Sequence, residues 1–360
     1  MKKNNFKKII TVLLVAIMCF SVVGCSVSQS NSPSSTPSEN PSEETKIDYP
    51  KKPITMIIPY AAGGGTDTYG RMLAAQLEKK LGVSVTVTNQ GGASGSIGTK
   101  FVHDADADGY TLLFSAETIG TYRAMGTSDL SYDNFIPISL AVNDPKLVVV
   151  SKNSKYNTLE ELLADIKANP GKITMSHSGP GGSGHNQGLI LKELGYDVAM
   201  TAFDSGNNSL LAVLGDQVVF TNPNLSFTSG YIDSGDVKVL AVFSNERIES
   251  YPDIPAFTEI VPEAEKYLSI PLTPLSLLAK EGTPDEIVEI LRKATVEAFQ
   301  EPDWTQFVES NSAEKLYEKY PDEESMKQFF NDWESLICWL QYENGVAQNS
   351  PEKFNIPKFK

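Results

Sequence analysis

Cysteine is almost missing from this chain. Of three in 360 residues, Cys19 lies inside the leading apolar run and Cys25 directly after it, leaving Cys338 alone in the remainder. No disulfide framework and no cysteine-based metal site can be built from that. Histidine is equally scarce, at three. His177 and His185 lie eight positions apart with no third His or Cys ligand nearby, and the chain has neither H-E-x-x-H nor G-x-S-x-G. A structural or ligand-contacting histidine fits better than a metal or nucleophilic centre. Positive charge is also short: 30 Lys and Arg face 45 Asp and Glu, a net charge of -15. Such a surface repels phosphates and argues against nucleic acid as a partner.

The one long apolar run is Ile9 to Val23, shorter than the ~20 residues a spanning helix needs. Lys2, Lys3, Lys7 and Lys8 precede it and Gly24-Cys25 follows, the three regions of an export signal. Removing those four lysines leaves the rest of the chain still more acidic. Val22-Val-Gly-Cys25 resembles the lipobox of bacterial lipoproteins, where cleavage leaves the cysteine as the lipidated N-terminus. Residues 1–24 are thus expected to be a lipoprotein signal peptide, and 25–47 a lipidated Cys25 with a Ser/Pro/Glu-rich flexible tether. This predicts a chain held to the bilayer on the extracytoplasmic face of the cell membrane.

The folded part is expected from about Asp48, with 41% hydrophobic residues to build a core. Ile54 to Ile58 reads as a strand and Pro59 breaks it. Ala61-Ala-Gly-Gly-Gly-Thr-Asp67 then enters a helix with Tyr69, Met72, Leu73, Leu77 and Leu81 on one face. Thr66 or Asp67 stands at the expected N-cap. Three glycines let the main chain approach a ligand, and free amides at a helix N-terminus suit an anion. The same spacing also serves a tight turn that binds nothing, and it matches neither G-x-G-x-x-G nor a P-loop.

Strands and helices alternate onward: Val83–Thr88, Tyr110–Ser115, Leu147–Ser151, Lys172–Ser176, Val218–Phe220 and Val237–Phe243 read as strands. This predicts an α/β fold with largely parallel sheets, whose ligands sit at strand carboxyl ends. Thr158-Leu-Glu-Glu161 forms a capping box for a helix closed by Asn169-Pro-Gly171. Ser178-Gly-Pro-Gly-Gly-Ser-Gly-His185 repeats the strand, glycine loop, helix order, and two such loops suit a cleft between domains. Asp204 either caps the helix after it, the better reading, or accepts a hydrogen bond from a ligand. Pro252, Pro255, Pro262, Pro271 and Pro274 punctuate a return toward the first domain. Thr283-Pro-Asp-Glu286 opens a helix to about Phe299, and Met326, Phe329, Phe330, Trp333, Leu336, Ile337 and Leu340 form a packed C-terminal stripe.

Six motifs occur in an order that resembles the tripartite tricarboxylate transporter solute-binding proteins, the Bug family. They are Tyr49-Pro-Lys-Lys-Pro-Ile, Pro59 to Asp67, Asp108-Gly-Tyr-Thr-Leu-Leu113, Asn169-Pro-Gly-Lys172, Leu240-Ala-Val-Phe-Ser244 with Pro252-Asp-Ile-Pro255, and Ala279-Lys-Glu-Gly-Thr-Pro284. The resemblance implies a type II periplasmic-binding-protein fold with two crossovers. One domain would be 48–146 plus 253–360, the other 147–252. It implies capture of a small carboxylated solute, delivery to membrane permease subunits, no catalysis and no cofactor, by a monomer. The implied ligand contacts are Tyr60, Ala61, Gly63, Gly64, Gly65, Thr66 and Asp67 from the first loop, with Ala116, Glu117 and Thr118 after the third strand. From the second domain they are Ser178, Gly179, Gly182, Ser183, His185, Asp204, Ser205 and Asn222. Amide dipoles would hold the carboxylate without Arg or Lys, and Glu117, Asp204 and Asn222 would read the distal end. Phe203-Asp-Ser stands where many members carry a Tyr-Lys-Gly-type segment, which removes a positive charge. A sensor partner of a membrane histidine kinase would use the same cleft, whereas a hydrolase would need a nucleophile and base.

Overall fold

The computed structural model describes residues 47–359. The signal, tether and Cys25 expectations fall outside the described residues. From residue 47 onward the chain is one compact unit.

Eleven strands are described: β1 Ile54–Ile58, β2 Val85–Asn89, β3 Thr111–Ser115, β4 Phe135–Asn143, β5 Leu147–Ser151, β6 Thr174–His177, β7 Ala199–Ala202, β8 Phe220–Thr221, β9 Val237–Val242, β10 Pro274–Lys280 and β11 Glu314–Lys315. They form two sheets, ordered β11-β4-β10-β3-β1-β2 and β7-β6-β8-β5-β9. The fold is the two-domain α/β binding-protein fold, with each lobe built on one sheet flanked by helices. Strands such as Ile54–Ile58 are apolar apart from Thr55 because helices cover both faces, and four of its five residues are buried.

The sheets are mixed where the sequence predicts mainly parallel ones. β1 pairs parallel with β2 and β3, and β6 with β7 and β8. The strands flanking the crossovers, β4, β5, β9 and β10, pair antiparallel with their neighbours. β10 is central to the first sheet, although Pro271 and Pro274 suggest a connector. Pro274 is the strand's first residue, a position where a missing N–H is tolerated.

The outward crossover is only Asp144-Pro145-Lys146, between β4 and β5. The return path lies beside it: Thr273 N donates to Asn143 Oδ1 at 3.0 Å, and Phe243 N to Lys146 O at 2.8 Å. These two segments form the hinge.

Helix Leu159–Ala168 is capped by Thr158, whose Oγ1 accepts from Glu161 N at 3.3 Å, but the expected reciprocal half of the box is not made, because the Glu161 carboxylate accepts from Asn157 N at 2.7 Å instead of from the N-cap amide. Helix Asp285–Phe299 begins two residues after Thr283, whose hydroxyl instead donates to Lys280 O at 2.8 Å. The C-terminal helix Glu323–Glu343 buries the whole stripe from Met326 to Leu340, each large side chain worth roughly 2 kcal/mol of transfer free energy. Buried Cys338 on it donates toward Gly120 O at 3.2 Å. This helix also reaches the second lobe, where Gln341 Nε2 donates to Asn186 Oδ1 at 2.7 Å. Among the described residues no helix is long and apolar enough to cross a membrane.

Candidate functional site

Helix Gly65–Leu81 starts at the carboxyl end of β1, with Gly64 as N-cap. The expected Thr66 or Asp67 cap is therefore already inside the first turn. Gly63 takes φ +87°, a left-handed turn that a side chain would strain, and this lets the chain reverse into the helix. Buried Asp67 stabilises that turn: its carboxylate accepts from Gly63 N at 3.0 Å, Arg71 Nε at 3.1 Å and Asn89 Nδ2 at 2.8 Å. Burial alone would raise its pKa, but these donors together hold it below the usual carboxylate value. No side chain caps Gly64, so the amides of Gly65, Thr66 and Asp67 face a cavity without partners among the described residues.

That cavity lies between the lobes and holds about 60 Å³. Tyr60, Ala61 and Gly64 to Asp67 line it from the first glycine loop, and Ala116, Glu117 and Thr118 from the loop after β3. Ser178, Gly179, Gly182, Ser183 and Ser205 line it from the second lobe.

Four residues expected at the ligand do not line it. Gly63 is exposed at the turn before the helix and outside the lining. His185 Nδ1 accepts from Gly181 N at 3.2 Å and shapes the second loop instead. His177 lies alongside, with Nδ1 3.2 Å from Gly179 N. Burial lowers both imidazole pKa values, that of His185 to about 4 with a further push from His177, so both are neutral at pH 7. Asn222 is buried behind the wall, its Nδ2 donating to Gln187 Oε1 at 2.6 Å. Asp204 is exposed and lines a neighbouring open hollow with Tyr60, Ala61, Ser178 and Gly179, and the cap expected of it is made by Ser205, whose Oγ accepts from Asn208 N at 3.1 Å.

Sequence reasoning missed Lys146, the hinge residue that also lines the cavity. It is 6% exposed, and among the described residues its ammonium makes no ion pair or side-chain hydrogen bond. Burial lowers its pKa, while nearby Glu117 and Asp144 act in the opposite direction. The available signal was a lysine in a three-residue link between apolar strands. Asp144, fully buried in the same link, accepts from Ser226 Oγ at 2.6 Å and Ser226 N at 3.4 Å. Burial pushes its pKa to about 7 against those hydrogen bonds and Lys146. Glu117, 3% exposed, accepts from Ser183 N at 2.6 Å, so a carboxylate of the first lobe sits on a helix N-terminus of the second. Its pKa is raised by burial and partly restored by Lys146 and the amide hydrogen bonds. No group of His, Cys, Asp and Glu among the described residues is placed to hold a metal ion.

Two lobes joined by two adjacent crossovers, with a small cavity rimmed by helix N-termini between them, are the architecture of a solute-binding protein. The chain belongs to the tripartite tricarboxylate transporter family receptors, whose family pattern matches residues 70–337. It is 31% identical over 264 residues to protein BugT of Bordetella pertussis, covering 70% of this chain and 78% of that one. The structure of the periplasmic binding protein BugD superposes with a TM-score of 0.76 at 28% identity, over 83% of this chain and 99% of BugD. A Rhodopseudomonas palustris protein solved with bound malate shares the fold at 24% identity and a TM-score of 0.70, over 80% of this chain and all of that one. The family is one of periplasmic solute-binding proteins, not enzymes.

Proposed function

We propose that this chain captures a small carboxylated solute in the interlobe cavity and delivers it to the permease of a tripartite tricarboxylate-type transporter. The observation that carries this reading is the pairing of two unsatisfied features at one place. The uncapped N-terminus of Gly65–Leu81 presents free amides and the positive end of its dipole, and the buried Lys146 ammonium, though near Glu117 and Asp144, makes no direct ion pair or hydrogen bond among the described residues. One carboxylate answers both.

The bodies that move are residues 48–146 with 253–360, and residues 147–252, turning about Asp144–Lys146 and the return strand. The solute binds the closed arrangement better than the open one and shifts the population toward it. The lipobox at Cys25 supports tethering to the outer face of the membrane, which keeps the closed form, acting as a monomer, near its permease.

Thermal melting against mono-, di- and tricarboxylates, amino acids and neutral metabolites tests the solute class. A solute that binds only the folded state raises the midpoint with concentration. A shift with a carboxylate, lost in Lys146→Met, is the expected result. Shifts with neutral or cationic compounds alone would overturn the assignment.

A further inference from the structure

Besides the helix at Gly65, three helix N-termini stand at the cavity or the hinge beside it. Those of Ser183–Glu193 and Leu225–Asp233 are already occupied by carboxylates of the chain itself, Glu117 on Ser183 and Asp144 on Ser226. Ser205 caps the one at Gly206–Leu214. Of these four termini the one at Gly65 is open, and among the described residues Lys146 is the buried cation without an ion pair that lines the cavity.

We propose that Glu117 is a built-in substitute for a second solute carboxylate, which makes this cleft selective for small monocarboxylates over dicarboxylates. The inference rests on the carboxylate reading above and narrows it. Glu117 belongs to the loop after β3 in the first lobe and reaches across the cleft to the second, sequestered from water at 3% exposure. A dicarboxylate spanning the lobes would have to expel this side chain from the Ser183 amide or bring its distal carboxylate beside it. Two carboxylates a few ångströms apart in a dry site repel strongly. Lys146 is one positive charge, already close enough to Glu117 to shift it. A first solute carboxylate has the Gly65 amides as well, whereas a second would find only neutral hydroxyls such as those of Thr66 and Ser178, beside the Glu117 carboxylate that already holds the Ser183 amide.

The test is isothermal titration calorimetry of the wild-type protein, Glu117→Gln and Glu117→Ser with acetate through hexanoate and with the dicarboxylates of matched carbon number. Gln keeps the shape and removes the charge; Ser also vacates the Ser183 amide, and melting curves establish that each variant folds. Wild type should prefer monocarboxylates by about tenfold or more in Kd, and Glu117→Ser should narrow or reverse that ratio by at least about tenfold. Preference of the wild type for dicarboxylates, or a ratio unchanged in both variants, overturns the inference while leaving the carboxylate reading intact. Binding of neither series, with a neutral or cationic solute bound instead, overturns both.

Discussion

The two glycine loops begin alike and end differently. Each follows a parallel strand, turns through glycine and opens a helix whose N-cap is itself a glycine, Gly64 in one and Gly182 in the other, with no side-chain cap. In the first lobe the amides remain free; in the second, Ser183 N is held by Glu117 from the opposite lobe. One motif therefore supplies both a receptor for an external anion and a docking point for an internal one. The chemistry of a glycine loop depends on what the rest of the chain brings to it.

The strongest way to break this contrast is to remove the charge that completes the open site. Lys146→Met should weaken carboxylate binding about 100-fold in calorimetry, since it deletes a desolvated counter-charge; an affinity within threefold of wild type would refute the role of Lys146. Next comes steric closure of the same terminus. A Cβ at Gly65 would lie 2.4 Å from Asp144 Oδ2 and 3.2 Å from Ser226 Oγ, so Gly65→Ala must push the hinge aside. A loss of about tenfold in affinity, with the melting midpoint lowered, is expected from overpacking of that kind. Gly64→Ala, with nothing near its Cβ, is the matched control and should lose much less.

Asp144 sharpens the comparison through pH. Its carboxyl has a pKa of about 7 in the folded chain against a reference value of 3.8. The folded state therefore holds the proton more tightly, and the stability due to this group falls as pH rises through that interval. Asparagine does not titrate, so the midpoint difference, Asp144→Asn minus wild type, should rise between about pH 4 and 7 and level off above. A flat difference would show that burial does not raise this carboxyl's pKa above its value in the unfolded chain. The smallest effect is expected at the bridge between lobes: Gln341→Leu loses one buried hydrogen bond to Asn186, about 1 kcal/mol, and should alter affinity only a few-fold.

Much of the frame was legible because its signals are local. The Ile54–Ile58 strand and its glycine turn, the Thr158 cap and the stripe from Met326 to Leu340 are each decided by neighbours within one or two helical turns. β10 was hidden because prolines at 271 and 274 punctuate the segment, and only the completed sheet shows that Pro274 merely opens a strand. Glycine positions in the site were readable for the same local reason. Lys146 was not, since a lysine in a short link becomes a buried, unpaired charge only when two lobes meet over it. Nor did sequence separate Asp204 from Ser205 as the cap, because adjacent residues with competent oxygens differ only in which way the backbone turns them.

Cys338 is sealed beneath the C-terminal helix with its thiol directed at Gly120 O, and burial raises its pKa well above the ordinary value. It is the sole cysteine among the described residues. The folded unit is thus silent toward maleimide dyes, and cysteines engineered one on each lobe would be the only reactive pair. Energy transfer between two fluorophores placed there would follow opening and closing molecule by molecule, without first removing a native thiol.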